Sequence, residues 1–155
     1  MTSDQMDTVV PSPTIRPIEA RDFDAWLRLW NGYNAFYRNE VTEEVTRATF
    51  RRLHEGTDGF FGLIAEGDDG LIGLAHAIFH PSTWTTLGYC YLEDLFVTRT
   101  QRGSGVARAL IEGVYKEADR RGADRVYWHT QAYNAQARSL YDQVAQPTSF
   151  VVYER

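Results

Sequence analysis

The stretch that decides the fold runs from Tyr89 to Ala109 and reads YCYLEDLFVTRTQRGSGVARA. Its first part, Tyr89–Val97, is rich in aromatic and β-branched residues and lacks Pro and Gly, so it predicts a strand. Two glycines then lead into a segment whose apolar residues recur at helical spacing, at Val106, Ala107, Leu110, Ile111, Val114 and Ala118. A strand, a glycine turn and a helix N-terminus form an anion site, because free backbone N–H groups and the helix dipole point at the ligand.

The glycine turn matches neither common nucleotide motif. The dinucleotide fingerprint needs three spaced glycines, and the Walker lysine is absent because Lys116 is the only lysine. The register Arg102-x-x-Gly105-x-Ala107 instead resembles the acyl-CoA pyrophosphate loop of the GNAT superfamily of N-acyltransferases. The resemblance implies that acetyl-CoA binds here, at Arg102, Gly103, Ser104, Gly105, Val106 and Ala107. A helix that merely begins after two glycines is the alternative.

Length and charge restrict the class of protein. The 155 residues suit one domain over residues 14–155, after a flexible leader over residues 1–13. A net charge of −5 argues against nucleic acid or anionic membrane as partners and favours cationic ones. The single Cys90 excludes an internal disulfide. Without a signal peptide or an apolar run of membrane-spanning length, we expect a cytoplasmic protein.

The periodicity predicts elements in the order β-α-α-β-β-β-α-β-α-β, which is a single-domain mixed α/β sheet with helices on both faces. Strands are predicted at Thr14–Ile18, Phe60–Glu66, Leu71–Phe79, Tyr89–Val97, Asp124–Thr130 and Ser149–Tyr153, with a loop over His80–Thr86. Helices are predicted from Asp22, whose side chain can cap the first of them, to about Tyr37, from Thr42 to about His54, from Val106 to about Arg121 and from Asn134 to about Val144.

A second motif lies on the last predicted helix, where residues 134–141 read NAQARSLY. It resembles the N-x-x-A-x-x-L-Y run of GNAT enzymes, and the resemblance covers the chain from Thr14 onward. It implies a mostly antiparallel sheet with a splayed acyl-CoA cleft. It also implies that Tyr141 is the general acid to the CoA sulfur and that Asn134 contacts the cofactor arm. Packing alone for Tyr141 and helix capping alone for Asn134 are the alternatives.

The resemblance also places the pantetheine arm against the strand that ends at Val97. There the arm pairs with backbone groups as an added strand would. The groups implied are those of Leu95, Phe96 and Val97.

Two consecutive acids, Glu93 and Asp94, interrupt this apolar strand. Burying unpaired carboxylates is costly, and strand alternation sends neighbours to opposite faces unless a bulge intervenes. A solvated strand end or pairing with arginine is the alternative to a functional role. The segment looks like the equivalent strand of the diamine acetyltransferases, with a preceding Pro81…Trp84 loop, and is similar to the histone/polyamine branch. We therefore expect Glu93 to accept the amine proton through water, Asp94 to attract a cationic acceptor and Trp84 to contact it.

Three histidines, His76, His80 and His129, are weaker candidates for the base, since a lone histidine on a strand is more often structural. No His/Cys/carboxylate spacing indicates a metal. After Tyr141 the chain has room for one strand where the family usually has two. We therefore expect a homodimer in which another subunit completes that edge.

The leading hypothesis is an acetyl-CoA-dependent N-acetyltransferase acting on a small cationic amine such as a polyamine or diamine. The first alternative is a protein-lysine or histone-type acetyltransferase. An open groove beside Trp84 would favour it, and a closed acidic pocket would favour the small amine. The second alternative is a non-catalytic acyl-CoA-binding module, against which Tyr141 and the intact loop argue.

Overall fold

The computed structural model describes residues 12–155 and shows one five-stranded sheet between two layers of helices. The strands are β1 Thr14–Pro17, β2 Phe60–Gly67, β3 Gly70–Ser82, β4 Thr85–Val97 and β5 Arg125–Tyr127. The helices are α1 Phe23–Tyr37, α2 Glu43–Glu55, α3 Val106–Arg121 and α4 Ala135–Val144. The leader predicted for residues 1–13 lies outside the described residues except for its last two. Within residues 12–155, no helix has the length and apolar character needed to cross a membrane.

The strands lie in the order β1-β2-β3-β4-β5. The first three pairings are antiparallel, and β4 pairs with β5 in parallel. The two-residue turn Asp68–Asp69 closes the β2–β3 hairpin. The parallel pairing needs a crossover, which α3 provides. The predicted mixed, mostly antiparallel sheet is therefore confirmed.

Strand alternation gives the sheet two separate cores. Leu63 pairs with Ala75 in the core under α3, whereas Ile64 pairs with Leu74 in the core under α1 and α2. The two sets alternate because successive side chains of a strand point to opposite faces. All four residues are at most 4% exposed, and full burial of a leucine or isoleucine contributes roughly 1.5–3 kcal/mol. The predicted helical layers on both faces are thus confirmed.

Two local predictions, the loop at His80–Thr86 and the cap at Asp22, are wrong because these residues have hydrogen-bond partners elsewhere in the chain. The loop predicted over His80–Thr86 is a hairpin, since β3 and β4 continue pairing as far as Ser82 and Thr85. Asp22 precedes α1 but its side chain does not cap the helix. Its carboxylate instead accepts two hydrogen bonds from the Arg16 guanidinium, at 2.8 and 2.9 Å.

Two predicted strands at the end of the chain also differ. The strand predicted at Asp124–Thr130 shortens to β5, because β4 pairs with it only along Tyr89–Tyr91. The strand predicted at Ser149–Tyr153 does not form. Its aromatic and β-branched residues favour a strand, but a strand needs a neighbour, and the described chain offers this segment none. Phe150, Val151 and Tyr153 are 72%, 73% and 92% exposed.

Candidate active site

A one-residue bulge in β4 brings the two consecutive acids together. His76 of β3 pairs with Asp94 and Ala77 pairs with Leu92, so Glu93 has no partner on β3. A bulge interrupts the alternation of the strand. Glu93 and Asp94 consequently line the same cavity of about 450 Å³. The side chains of Glu93 and Asp94 therefore do not alternate between the two faces of the sheet, because a bulge intervenes at Glu93.

This cavity, which we call the acceptor cavity, has aromatic and acidic walls. Its lining residues come mainly from α1, α2, β3 and β4, and none of them is a lysine or an arginine. Asn34 contributes a buried side chain whose Nδ2 donates to the Trp30 carbonyl at 2.9 Å, which fixes the orientation of the amide. Its Oδ1 has no hydrogen-bond partner among the described residues. The cavity therefore presents the carboxylate oxygens of Glu93 and Asp94 as acceptors of hydrogen bonds.

The environment raises the pKa of three groups in the acceptor cavity, namely Glu93, Tyr33 and Tyr91. Although Glu93 is exposed at the cavity surface, partial burial of its carboxyl, and then the negative charge of Asp94, raises the pKa of Glu93. Burial, followed by the charge of Asp94 and a hydrogen bond to it, raises the pKa of Tyr33. A carboxyl whose pKa is raised is a better proton acceptor once it is ionised, which suits a general base.

The three histidines and Trp84 occupy different surroundings. Both ring nitrogens of His76 are engaged, since Nε2 accepts from the Trp26 indole and Nδ1 lies 2.9 Å from Asp94. His80 contacts the Tyr127 hydroxyl at 2.7 Å, and the exposed His129 follows β5. Trp84 is 75% exposed in the β3–β4 turn and lines neither the acceptor cavity nor the cleft described next. The geometry therefore does not bring Trp84 to the two acids.

A second cavity of about 400 Å³, which we call the cleft, lies where β4 ends and α3 and α4 begin. It is lined by nearly all of the residues expected to hold acetyl-CoA, namely Leu95, Phe96, Val97, Arg102, Gly103, Gly105, Val106, Ala107, Asn134 and Tyr141. Ser104 is the exception, and its hydroxyl donates to the Gln101 carbonyl. Because β4 pairs with β5 only along Tyr89–Tyr91, the end of β4 has no neighbour on the cleft side.

The glycine turn is shaped for a group that carries phosphate. Gly103 and Gly105 have φ values of +80° and +87°, which glycine adopts far more readily than other residues. No atom lies within 4 Å of the position that a Cβ would take at either residue. Gly105 is also the residue before α3, so no side chain caps the first N–H groups of that helix. Backbone donors and open space together fit the pyrophosphate of acetyl-CoA.

The helix α4 and its N-cap residue supply the far wall of the cleft. Asn134 caps this helix, because its Oδ1 accepts from the Ala137 N–H at 3.3 Å. Tyr141 is half-buried, with its ring against Trp128 at 5.3 Å between centroids. Burial raises the pKa of Tyr141 to about 12, with a smaller contribution from Tyr37. The phenol therefore keeps its proton at neutral pH and can donate it.

Sequence reasoning missed seven residues of the cleft, among them Phe36, Tyr37 and Arg108. Phe36 and Tyr37, from the last turn of α1, form one wall, and the Arg102 guanidinium lies 5.1 Å from the Phe36 ring centroid. The aromatic stripe along α1 was the available signal, but it is equally typical of core packing. Arg108 also lines the cleft, one residue beyond the motif that the sequence analysis quoted.

The comparisons with known proteins agree with this arrangement. The model of the Acetyltransferase (GNAT) family matches residues 26–145. The D-amino-acid N-acetyltransferase HPA3 of Saccharomyces cerevisiae is 40% identical over 143 residues, which cover 91% of this chain and 89% of that protein.

Two solved structures share the fold. One is the ribosomal-protein-alanine N-acetyltransferase from Brucella melitensis biovar Abortus 2308, with a TM-score of 0.74, 21% identity and coverage of 93% of this chain and 98% of that one. The other is AAC(6')-Iy in complex with a bisubstrate analogue of CoA, with a TM-score of 0.76, 21% identity and coverage of 94% and 98%.

A glycine turn at a helix N-terminus, a splayed strand and a half-buried tyrosine define an acyl-CoA-dependent transferase fold. The chain belongs to the GNAT family of acetyltransferases. It is a GNAT-type N-acetyltransferase whose acyl donor is acetyl-CoA. The resemblance noted in the two sequence motifs is thereby confirmed for the superfamily.

Proposed function

We propose that this N-acetyltransferase acetylates a small cationic amine, such as a polyamine or a diamine, bound in the acceptor cavity. The observation that carries the proposal is the pair of carboxylates that the bulge turns into one cavity, Glu93 and Asp94. An ammonium group has donors only, so walls of this kind match it.

The residues of the cleft would hold the donor. Acetyl-CoA supplies an acyl group activated as a thioester. The N–H groups of the glycine turn and of the first turn of α3 would contact its pyrophosphate, and Arg102 lies beside them. The backbone of Leu95–Val97 has no β5 partner and would pair with the pantetheine arm.

Two proton transfers are assigned to residues of this chain. An ammonium must lose a proton before its nitrogen attacks, and Glu93 takes that proton through a water molecule. Asp94 attracts the ammonium into the cavity. Tyr141 gives a proton to the departing sulfur, and its raised pKa of about 12 keeps the phenol protonated until that step.

An amino acid is the second candidate acceptor, because the yeast relative at 40% identity is named a D-amino-acid N-acetyltransferase. An amino acid carries a carboxylate beside its amine. Glu93 and Asp94 would repel that carboxylate, and no lysine or arginine lines the acceptor cavity to pair with it. The cavity therefore favours an amine without an adjacent carboxylate. The protein-lysine alternative has no support from Trp84, which lies away from the cavity.

A homodimer is also proposed. The segment Phe150–Tyr153 is apolar and exposed, and the sheet ends at the three-residue β5. An exposed apolar segment with strand propensity favours pairing with another chain. A second copy of this protein is the partner we expect for it.

The acceptor is tested by measuring CoA release with three matched compounds. Cadaverine carries two ammonium groups, pentylamine carries one, and D-lysine adds a carboxylate to the cadaverine skeleton. We expect kcat/KM to be highest for cadaverine, by about tenfold over each of the others, which corresponds to about 1.4 kcal/mol. Faster turnover of D-lysine than of cadaverine would establish the amino-acid alternative instead.

A further inference from the structure

A buried chain of hydrogen bonds connects the core under α1 to the acceptor cavity. The Trp26 indole Nε1–H donates to His76 Nε2 at 2.9 Å, and His76 Nδ1 lies 2.9 Å from Asp94 Oδ2. Trp26 is 0% exposed and His76 is 3% exposed. This series of hydrogen bonds therefore begins in the buried core, and it ends on the Asp94 carboxylate in the acceptor cavity.

The partner on one side of the imidazole determines the proton position on the other side. An indole N–H can only donate, so Nε2 of His76 must be an acceptor without a proton. The proton of the neutral ring then lies on Nδ1 and is donated to Asp94. A second proton on Nε2 would face the indole N–H, and the buried hydrogen bond from Trp26 would be lost. Trp26 thus selects the tautomer that binds Asp94.

From this geometry we infer that His76 is a positioning residue, which holds the Asp94 carboxylate toward the acceptor ammonium in the Nδ1–H tautomer that Trp26 selects. This inference rests on the proposed cationic acceptor. The strand register favours this contact, because β3 and β4 pair His76 directly with Asp94 beside the bulge at Glu93. A carboxylate already fixed by hydrogen bonds loses less side-chain freedom when the ligand binds.

A matched pair of variants separates the two hydrogen bonds of His76. His76→Asn carries its amide near the position of Nδ1 and keeps a donor for Asp94. His76→Gln carries its amide near the position of Nε2 and keeps a partner for Trp26. We expect His76→Gln to raise KM for cadaverine about tenfold or more, as for loss of a hydrogen bond to a charged group. His76→Asn should leave KM within about threefold, with both variants losing similar thermal stability.

A spectroscopic measurement on the wild type examines the tautomer directly, and a variant serves only as its comparison. Nitrogen-15 NMR of the imidazole should show His76 of the wild type protonated at Nδ1 and bare at Nε2. Trp26→Phe removes the indole donor and should introduce the Nε2–H tautomer. An Nε2–H tautomer in the wild type would overturn the inference.

Asp94→Asn, measured in the same assay, distinguishes the failure of this inference from the failure of the proposed function. If Asp94→Asn leaves KM for cadaverine unchanged, the cationic acceptor site is wrong and the role of His76 falls with it. If Asp94→Asn raises KM while the two His76 variants behave alike, His76 only packs, and the proposed function stands.

Discussion

The glycine turn before α3 allows the donor site to be perturbed without changing the core. Gly105 has a φ of +87°, and no atom lies within 4 Å of where its Cβ would be. A side chain at this position therefore enters the cleft that Gly105 lines. We expect Gly105→Glu to weaken CoA binding, because its carboxylate would lie near the phosphates.

The magnitude has two parts. Left-handed backbone costs a non-glycine residue roughly 1–2 kcal/mol, which lowers the free energy of unfolding and not the affinity. Repulsion between the carboxylate and one phosphate charge about 5 Å away is about 1 kcal/mol in water and about 3 kcal/mol at an effective dielectric constant near 20. The dissociation constant of CoA should therefore rise between about 5-fold and about 150-fold.

Isothermal titration calorimetry with CoA measures the change directly. Gly122→Glu is the matched control, since Gly122 has a φ of +74° and the same open space but lies at the C-terminal end of α3. Gly105→Gln adds the same bulk without the charge and separates the two effects. Equal affinities for Gly105→Glu and Gly122→Glu would show that the pyrophosphate does not bind at this turn.

Tyr141→Phe should lower kcat by about 10²-fold or more with little change in CoA affinity. Because the pKa of Tyr141 is about 12, this loss of kcat should persist at every lower pH. Rates equal to the wild type would leave Tyr141 only a packing role. Glu93→Gln should depress kcat/KM for cationic amines most at pH values where the Glu93 carboxyl is ionised while the acceptor amine is still protonated. Asp94→Asn should raise KM more for a diamine than for a monoamine. It also removes one cause of the raised pKa of Glu93, so the acid limb of the pH profile should move to lower pH, and an unmoved limb would contradict Glu93 as the base. Light scattering at micromolar concentration should show a dimer that becomes a monomer when the chain is cut before Phe150, and a monomeric wild type would refute the proposed interface.

Local patterns in the sequence were sufficient to locate the cleft. The glycine turn follows a strand and begins a helix, and each of these is encoded within a few neighbouring residues. Tyr141 lies two helical turns beyond the Asn134 cap, so helical geometry alone brings both residues to one face. Every residue expected to hold the donor lines the cleft except Ser104, whose hydroxyl turns back to the Gln101 carbonyl.

Features that depend on distant partners were not predictable from single segments. The bulge at Glu93 is visible only in the register between β3 and β4, because the apolar pattern on either side is normal. The segment Phe150–Tyr153 has the composition of a strand, but pairing depends on a neighbouring chain segment that propensity cannot indicate. Tyr37 reaches the cleft only because of where α1 packs on the sheet.

The bulge separates the structural role of the central strand from its proposed chemical role. Leu92 belongs to the core under α3, and Asp94 faces His76 on the other side of the sheet. The side chains of Leu92 and Asp94 therefore already point to opposite faces of the sheet, as those of two adjacent residues in a regular strand do. Deleting Glu93 would therefore join the two halves of β4 in the register that each half has now, with both cores retained. The residue proposed as the base is thus an unpaired residue of the bulge, whose absence the sheet can absorb. A variant without it should melt close to the wild type and yet transfer no acetyl group, so a single-codon deletion is a short route from an acetyltransferase to a protein that only binds its substrates.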